Sequence, residues 1–524
     1  MGLSGSSYSI QPISGNLNFS QARHLLDRSL FGASKGEIDN LVGKNIFFAI
    51  SVLMQTPKSV SIPISIDAKD LDVTLGATWI NTPYNGTYNT YRLRSLYSWW
   101  IGNMVQQNTS LIEKMVLFWH NHFVTEMATV VNASFLYNYV QVLRNSALGN
   151  IKQLISEITI CPAMLVYLNG ESNKATAPNE NYGRELFELF AIGKGPLISS
   201  GNYTNYTEGD IREAAKVLTG WRIDRTLNKS YFDTTGHDKS TKIFSDAFMK
   251  ATIVNKEASE YKDLIELIFN QKETAKYLVR KLYRWFMYAE IDQNIEDNII
   301  IPLAATLYSN NYDIKPVLAQ LLSSEHFFSS DYQGALIKNP IDFAVGIFRK
   351  SEINLSTNLL NNYEIWSSTY YACQAMEMTL GDPPDVAGWP EYYKEPSYSE
   401  LWINASTIPQ RTVFSDTLCL TGITKGGFKY FVDPFVLTSK INDPSKADNL
   451  LNGLALILLP VPLSPLQLIQ LKEVLIPGLP DSTWAFEWLK YIGAPSDAVQ
   501  KGLVGKKLQA VIAQIMRLPE FYLS

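Results

Sequence analysis

Glu185 and Glu188 lie three residues apart, with Asn181 four residues before Glu185 and Arg184 beside it. At about 100° per residue, Asn181, Glu185 and Glu188 share one narrow stripe of a helix, while Leu186, Phe187 and Phe190 face away. Paired carboxylates on one face can exchange protons with a substrate or ligate a divalent metal, and a neighbouring guanidinium can hold an anion or orient a carboxylate. The plain alternative is a solvated face in which Arg184 and Glu188 form an i,i+4 pair worth a few tenths of a kcal/mol. Asn179 and Asn181, flanking Glu180 at the helix start, add amides that cap the helix or orient the acids.

The five histidines, at 24, 120, 122, 237 and 326, restrict any metal or acid–base proposal. In Phe118-Trp-His-Asn-His-Phe123, His120 and His122 lie about 200° apart on a helix, so both cannot face one metal. Two hydrogen-bonded histidines in an aromatic core helix explain the motif equally well. His237-Asp238 has the composition of an acid–base pair on a loop, because a carboxylate can fix an imidazole tautomer. His24 and His326 read as structural. In Gly381-Asp-Pro-Pro-Asp-Val-Ala-Gly-Trp-Pro390 the prolines fix a rigid loop that carries Asp382, Asp385 and Trp389, either as a ligand site or as a structural plug. No GxSxG elbow, Walker loop, HExxH or GxGxxG fingerprint stands at a suitable position, which leaves serine-hydrolase and nucleotide readings without support.

The elements that must position these residues are helices. The pattern is mainly α, a large multi-helix globular protein with long irregular loops and at most a small β hairpin. Helical rhythm is expected over 18–32, 35–51, 91–100, 111–124, 134–148 and 151–168, and then from Pro178 to Gly193. Thr207 with Asp210 caps the next helix, through Leu218. The segment 57–91 is irregular, and 222–250 is the strand-containing candidate. Helices resume over 258–269, 272–288, 299–310, 314–323, 340–349, 370–378, 482–491 and 506–516. Residues 1–17 form a polar leader, 18–330 an N-terminal helical region with the His and Glu motifs, and 331–524 a C-terminal helical region with the Asp-Pro-Pro-Asp loop, all in one unit.

Length and composition bound the function. With 524 residues, 46% of them hydrophobic and 18% charged, the chain can bury a large core. A formal charge of -5 and no long basic run disfavour nucleic acid as a partner. Cys161, Cys373 and Cys419 are too scattered for a disulfide framework or a CxxC metal site. The first residues show no signal peptide, and the longest apolar run, near 450–463, is broken by Gly453, Pro460 and Pro462 and is too short for a transmembrane segment.

Taken together, these stretches resemble the bacterial domain of unknown function family 1800 nearly end to end. The resemblance is carried by Ala22-Arg-His-Leu-Leu-Asp-Arg-Ser-Leu-Phe-Gly32, the Phe118–Phe123 motif, Asn179 to Leu189, Tyr206 to Trp221, His237-Asp238 with Lys242, the Asp382–Pro390 loop and Trp402-Ile-Asn404. It implies that His122, rather than His120, is the shared histidine. Where many relatives carry a His, this chain has Phe190, and Ser240 replaces a loop glycine. The resemblance also implies export and a partner protein at the cell envelope. The resulting expectation is a hydrolase-like enzyme whose catalytic residues are His122, Arg184, Glu185, Glu188, His237 and Asp238. Asn181, Asp382, Asp385 and Trp389 line its binding wall, and a divalent metal sits on His122, Glu185, Glu188 and His237. The rival expectation is a non-catalytic helical binding or assembly protein whose polar motifs are buried hydrogen-bond networks.

Overall fold

Local sequence sets most helix starts through side-chain caps. Asn18 accepts from Gln21 N while Gln21 returns a bond to the Asn18 backbone, a capping box that starts the Phe19–Ser29 helix. Thr207 and Asp210 form the same reciprocal pair at Glu208–Val217, as their spacing predicts. Gly32 closes the first helix turn region with a φ of +77°, and a Cβ there would stand 3.1 Å from Gly346 Cα, so two chain segments meet on glycine.

The computed structural model describes residues 8–56 and 60–524. The first residues of the leader and the start of the 57–91 segment lie outside the described residues. The chain is mainly α. The described strands form four short two-stranded antiparallel sheets; Trp221–Asp224 with Lys229–Phe232 falls on the 222–250 stretch expected to hold a hairpin, and Lys242–Ile243 pairs with Thr252–Ile253 just beyond its end.

Several expected helices are broken for visible reasons. The 35–51 segment divides into Lys35–Asp39 and Ile46–Leu53, the second capped by Asn45. Cys161-Pro162 interrupts 151–168, because proline starts a new helix at its first position and has no N–H to continue the old one. The Asn181–Glu185 helix passes directly into a π-helical stretch, Leu186–Ala191, whose end is marked by Gly193 N donating to Phe187 O at 2.9 Å.

The core is one continuous apolar cluster that takes in side chains from both ends of the chain, including Leu25, Trp119, Phe187, Leu282, Phe343 and Phe521. Helix Lys272–Phe286 shows how it forms. Ala275, Leu278, Val279, Leu282 and Phe286 recur at three- and four-residue steps and are buried, each large one worth about 1.5–3 kcal/mol. Its outer face carries Arg280, which pairs with Glu273 and Glu296.

Charges buried in this core join the 18–330 and 331–524 regions. Lys350 Nζ lies 2.8 Å from Asp27 Oδ2, Lys114 Nζ lies 2.5 Å from Asp342 Oδ1, and Arg349 Nη2 lies 2.7 Å from Glu37 Oε1. The irregular segment before Tyr91 is fastened to helix Asn89–Gln106. Arg92 holds Asp70 and Asp72, and Ser95 Oγ accepts from the Trp79 indole and donates to Ile64 O. Among the described residues, no helix is long and apolar enough to cross a membrane. The three cysteines are buried free thiols.

Candidate functional site

Glu185 closes the α-helical turn and Glu188 is the third residue of the π-helical stretch, both partly buried. The wider π turn changes which partners these side chains reach. Arg184 does not pair with Glu188. Its guanidinium binds both oxygens of Glu208, at 2.7 and 2.8 Å, and reaches back 2.8 Å to Glu180. Glu188 pairs instead with Lys194, just past the helix end, and lies within 3.5 Å of the Tyr206 hydroxyl.

That arrangement leaves Glu185 without an ion-pair partner among the described residues. Burial, then the charge of Glu188, push its carboxyl up to about 7, and Asp385 adds to the effect while Arg184 and Lys194 oppose it. Asp385 stands two hundred residues further along the chain, so the rigid Asp-Pro-Pro-Asp loop does come to the Glu185 helix. Asp385 itself is exposed and accepts from Ala387 N at 2.8 Å. Asp382 is partly buried, and burial and then Glu126 raise its carboxyl against bonds from Ala128 and Met127.

Tyrosines complete the surroundings. The Tyr167 hydroxyl donates to Glu126 Oε1 at 3.0 Å and sits in the field of Asp385 and Glu185. Tyr277 donates to Leu189 O at 3.0 Å and feels Glu188 and Glu185. Tyr167, Tyr206, Tyr277, Lys194 and Glu126 were not singled out by sequence reasoning. The only available sign was a tyrosine-rich composition, which an aromatic core also explains.

His122, the last residue of helix Ile112–His122, packs at the end of the Glu185 helix. Its Nε2 donates to Phe190 O at 3.0 Å, satisfying one of the last carbonyls of the π stretch. Its Nδ1 is buried without a hydrogen-bond partner, and burial, then the charge of Lys281, hold the ring far below its ordinary pKa. His122 is thereby a neutral cap on the helix that carries Glu185. Lys281, itself lowered to about 8 by burial and Arg284, was another residue the sequence left unmarked. His120 Nδ1 bonds the Tyr139 hydroxyl at 3.0 Å in the core.

His237 and Asp238 belong to a separate buried network. His237 Nδ1 meets Thr219 O at 2.9 Å and Thr219 Oγ1 at 3.1 Å, while its Nε2 meets Glu260 Oε2 at 3.0 Å. Lys242 Nζ lies 2.5 Å from Glu260 Oε1 and bonds Asp238 O. The Asp238 carboxyl is bound by its own turn, accepting from Ser240 N at 2.8 Å and from Ser240 Oγ. Both nitrogens of His237 are therefore occupied by protein groups, and Glu260, absent from the sequence-derived set, is its principal partner.

The expected set thus divides. Glu185 feels the charges of Glu188, Arg184 and Asp385. Asn181 is exposed at the helix start, where its N–H donates to Asn179 Oδ1 at 2.9 Å. Trp389, expected as part of a binding wall, is 1% exposed; its ring packs edge-on to His120 at 5.6 Å and its backbone N–H donates to Asn121 Oδ1 at 2.8 Å. It is a wedge that fastens the loop to helix Ile112–His122. The four-residue metal set is not assembled: among the described residues no three His, Cys, Asp or Glu side chains group in a way that could hold a metal ion.

A second polar region, around Asp27, went unweighed in the sequence although its helix carries one of the motifs. Asp27, Arg28, Trp285 and Glu391 line a narrow cleft of about 30 Å³, and each leaves one buried polar atom, Asp27 Oδ1, Arg28 Nε, Trp285 Nε1 and Glu391 Oε2, without a hydrogen-bond partner among the described residues. Burial lifts the Glu391 carboxyl to about 7.

Comparison with known proteins found no matching curated protein and no matching solved structure. The family model described as "Protein of unknown function (DUF1800)" matches residues 24–523, nearly the whole chain. The chain belongs to that family.

Proposed function

We propose that the Glu185 region is a general acid–base site of a hydrolase-like enzyme. Glu185 exchanges the proton, Glu188 and Asp385 set its affinity for that proton, and the Asp382–Pro390 loop forms one wall. The observation that carries this reading is the Glu185 carboxyl itself. It is held at about 7 by burial and by neighbouring carboxylates, with no ion-pair partner among the described residues. A carboxyl tuned close to neutral pH gives and takes a proton with nearly equal ease, the property a general acid or base requires. Arg184 is committed to Glu180 and Glu208, so its role is to anchor the helix rather than to bind substrate. The test is turnover of a panel of chromogenic esters and glycosides by the purified chain and by Glu185→Gln. A rate that depends on Glu185 and bends near pH 7 supports the site, whereas turnover unchanged in Glu185→Gln removes Glu185 from it.

The rival reading, a binding or assembly protein built on buried polar networks, draws on a different observation. His237, Glu260, Lys242 and Thr219 are fully engaged with one another and buried. For that part of the chain we favour the structural role, and the acid–base proposal is confined to the Glu185 region.

A further inference from the structure

A cleft of about 630 Å³ lies between the first turns of helix Phe19–Ser29 and helix Ala447–Leu458, and no residue of the Glu185 region lines it. A volume of that order suits a small organic ligand. The lining is mostly apolar, with Ile441, Leu456, Val461 and Leu463 in its walls. Leu456 is 43% exposed on a helix whose other leucines are buried, so the cleft keeps a large apolar side chain open to solvent.

Three cations line the cleft and, among the described residues, no carboxylate does. Lys35 is paired with Asp39 at 2.5 Å and Lys440 with Glu352 at 2.5 Å, so neither brings a free charge. Arg23 does. It is 3% exposed, donates to Leu456 O at 3.0 Å and Pro460 O at 2.5 Å, and has no carboxylate at ion-pair distance among the described residues. Carbonyls take up N–H groups without neutralising the charge, and these two fix the guanidinium against the cleft wall. Asp27, one turn further on, is committed to Lys350 at 2.8 Å. Burial lowers the Arg23 pKa and the charge of Asp27 only partly opposes it, the sign of a guanidinium short of counter-charge. Asn442, Asn449 and Asn452 complete the polar lining and leave this balance unchanged. Asp443 and Asp448, beside them in sequence, do not line the cleft and pair with Lys446 and Lys472.

We infer that this cleft binds a small monoanion with an apolar body, a carboxylate carried on an aliphatic or aryl group. The carboxylate meets Arg23 and the body lies on Leu456, Val461 and Leu463. A neutral ligand would leave the Arg23 charge buried without a counter-charge, and a cation would add to it. The assignment is independent of the Glu185 reading.

Calorimetric titration of the full chain with octanoate, octanamide and octylammonium tests the assignment, because the three probes share a body and differ in charge. Octanoate should bind at least about tenfold more tightly than octanamide, and octylammonium should not bind. Leu456→Trp, which fills the cleft from a half-exposed position, should weaken octanoate by at least about tenfold while keeping the wild-type thermal melt. Arg23→Met should bring octanoate down to the affinity of octanamide; if that variant does not fold, Leu456→Trp and the three probes decide. Wild-type protein that takes up no octanoate overturns the inference. Octanamide that binds as tightly as octanoate also overturns it, and gives the cleft to a neutral ligand. Octanoate binding unchanged in folded Leu456→Trp places the probe elsewhere and overturns it as well.

Discussion

Glu260 Oε2 lies 3.0 Å from His237 Nε2, with neither side chain exposed to solvent. The carboxylate also holds Lys242, so one acid on helix Glu260–Phe269 fixes both the His237 turn and the Lys242 strand.

Removing Glu260 should therefore be felt as instability first. In Glu260→Gln the buried Lys242 ammonium loses its close partner and keeps only Asp238 Oδ1, 3.8 Å away, which costs about 2–4 kcal/mol. Denaturant titration should record that loss. His237→Gln should lose less, and any fall in activity should track the folded fraction. A His237 variant with full stability and no turnover would return this residue to the chemistry.

Glu185 gives a dependence on pH. Its folded pKa of about 7 stands above the ordinary 4.5, so the folded chain binds this proton more tightly than the unfolded chain does. The contribution to stability is complete below about pH 4.5 and is lost as pH rises through 7. Because the carboxyl is only partly buried, the loss is about 1–2 kcal/mol after solvent screening. Glu185→Gln should therefore match the wild type near pH 4 and exceed it by that amount near pH 8. Urea titrations at the two pH values measure the difference.

Asp27 and Lys350 are a buried pair and should behave as one in a double-mutant cycle. Lys350→Met alone leaves Asp27 charged in the core and should cost about 3–5 kcal/mol. Asp27→Leu with Lys350→Met should recover a large part of that loss. Equal destabilisation by the single and double variants would mean that Lys338, also close to Asp27, already neutralises it.

Gly388 tests the seat of the Asp-Pro-Pro-Asp loop. Its φ is +101°, and a Cβ would fall 2.4 Å from Asn121 Oδ1, the oxygen that accepts from Trp389 N. Gly388→Ala should cost about 2–4 kcal/mol through backbone strain and the broken bond. Asn121→Ala, which makes room but forfeits the bond, should cost about 1–3 kcal/mol. Thermal melts of the two variants rank them.

Much of the helical frame was legible because caps and three-to-four spacing are local. Thr207 with Asp210 and the buried stripe of Lys272–Phe286 needed no tertiary information. The π-helical stretch did not announce itself, since Leu186–Ala191 has ordinary helix formers. That one irregularity moved Glu188 from Arg184 to Lys194. The pairing of candidate residues was less legible still, because it depends on contacts distant in sequence. Glu185 feels the charge of Asp385 only because the chain folds back, and His237 meets Glu260 from a helix that reads as ordinary and amphipathic. Trp389 was ambiguous because a rigid proline loop serves a plug and a binding wall equally.

The ion pairs that join early and late segments, Asp27 with Lys350, Lys114 with Asp342 and Glu37 with Arg349, also bear on inheritance. A gene break near residue 330 would hand each fragment charges whose counterparts are encoded on the other. Neither half could be exchanged or expressed alone without rewriting its interior.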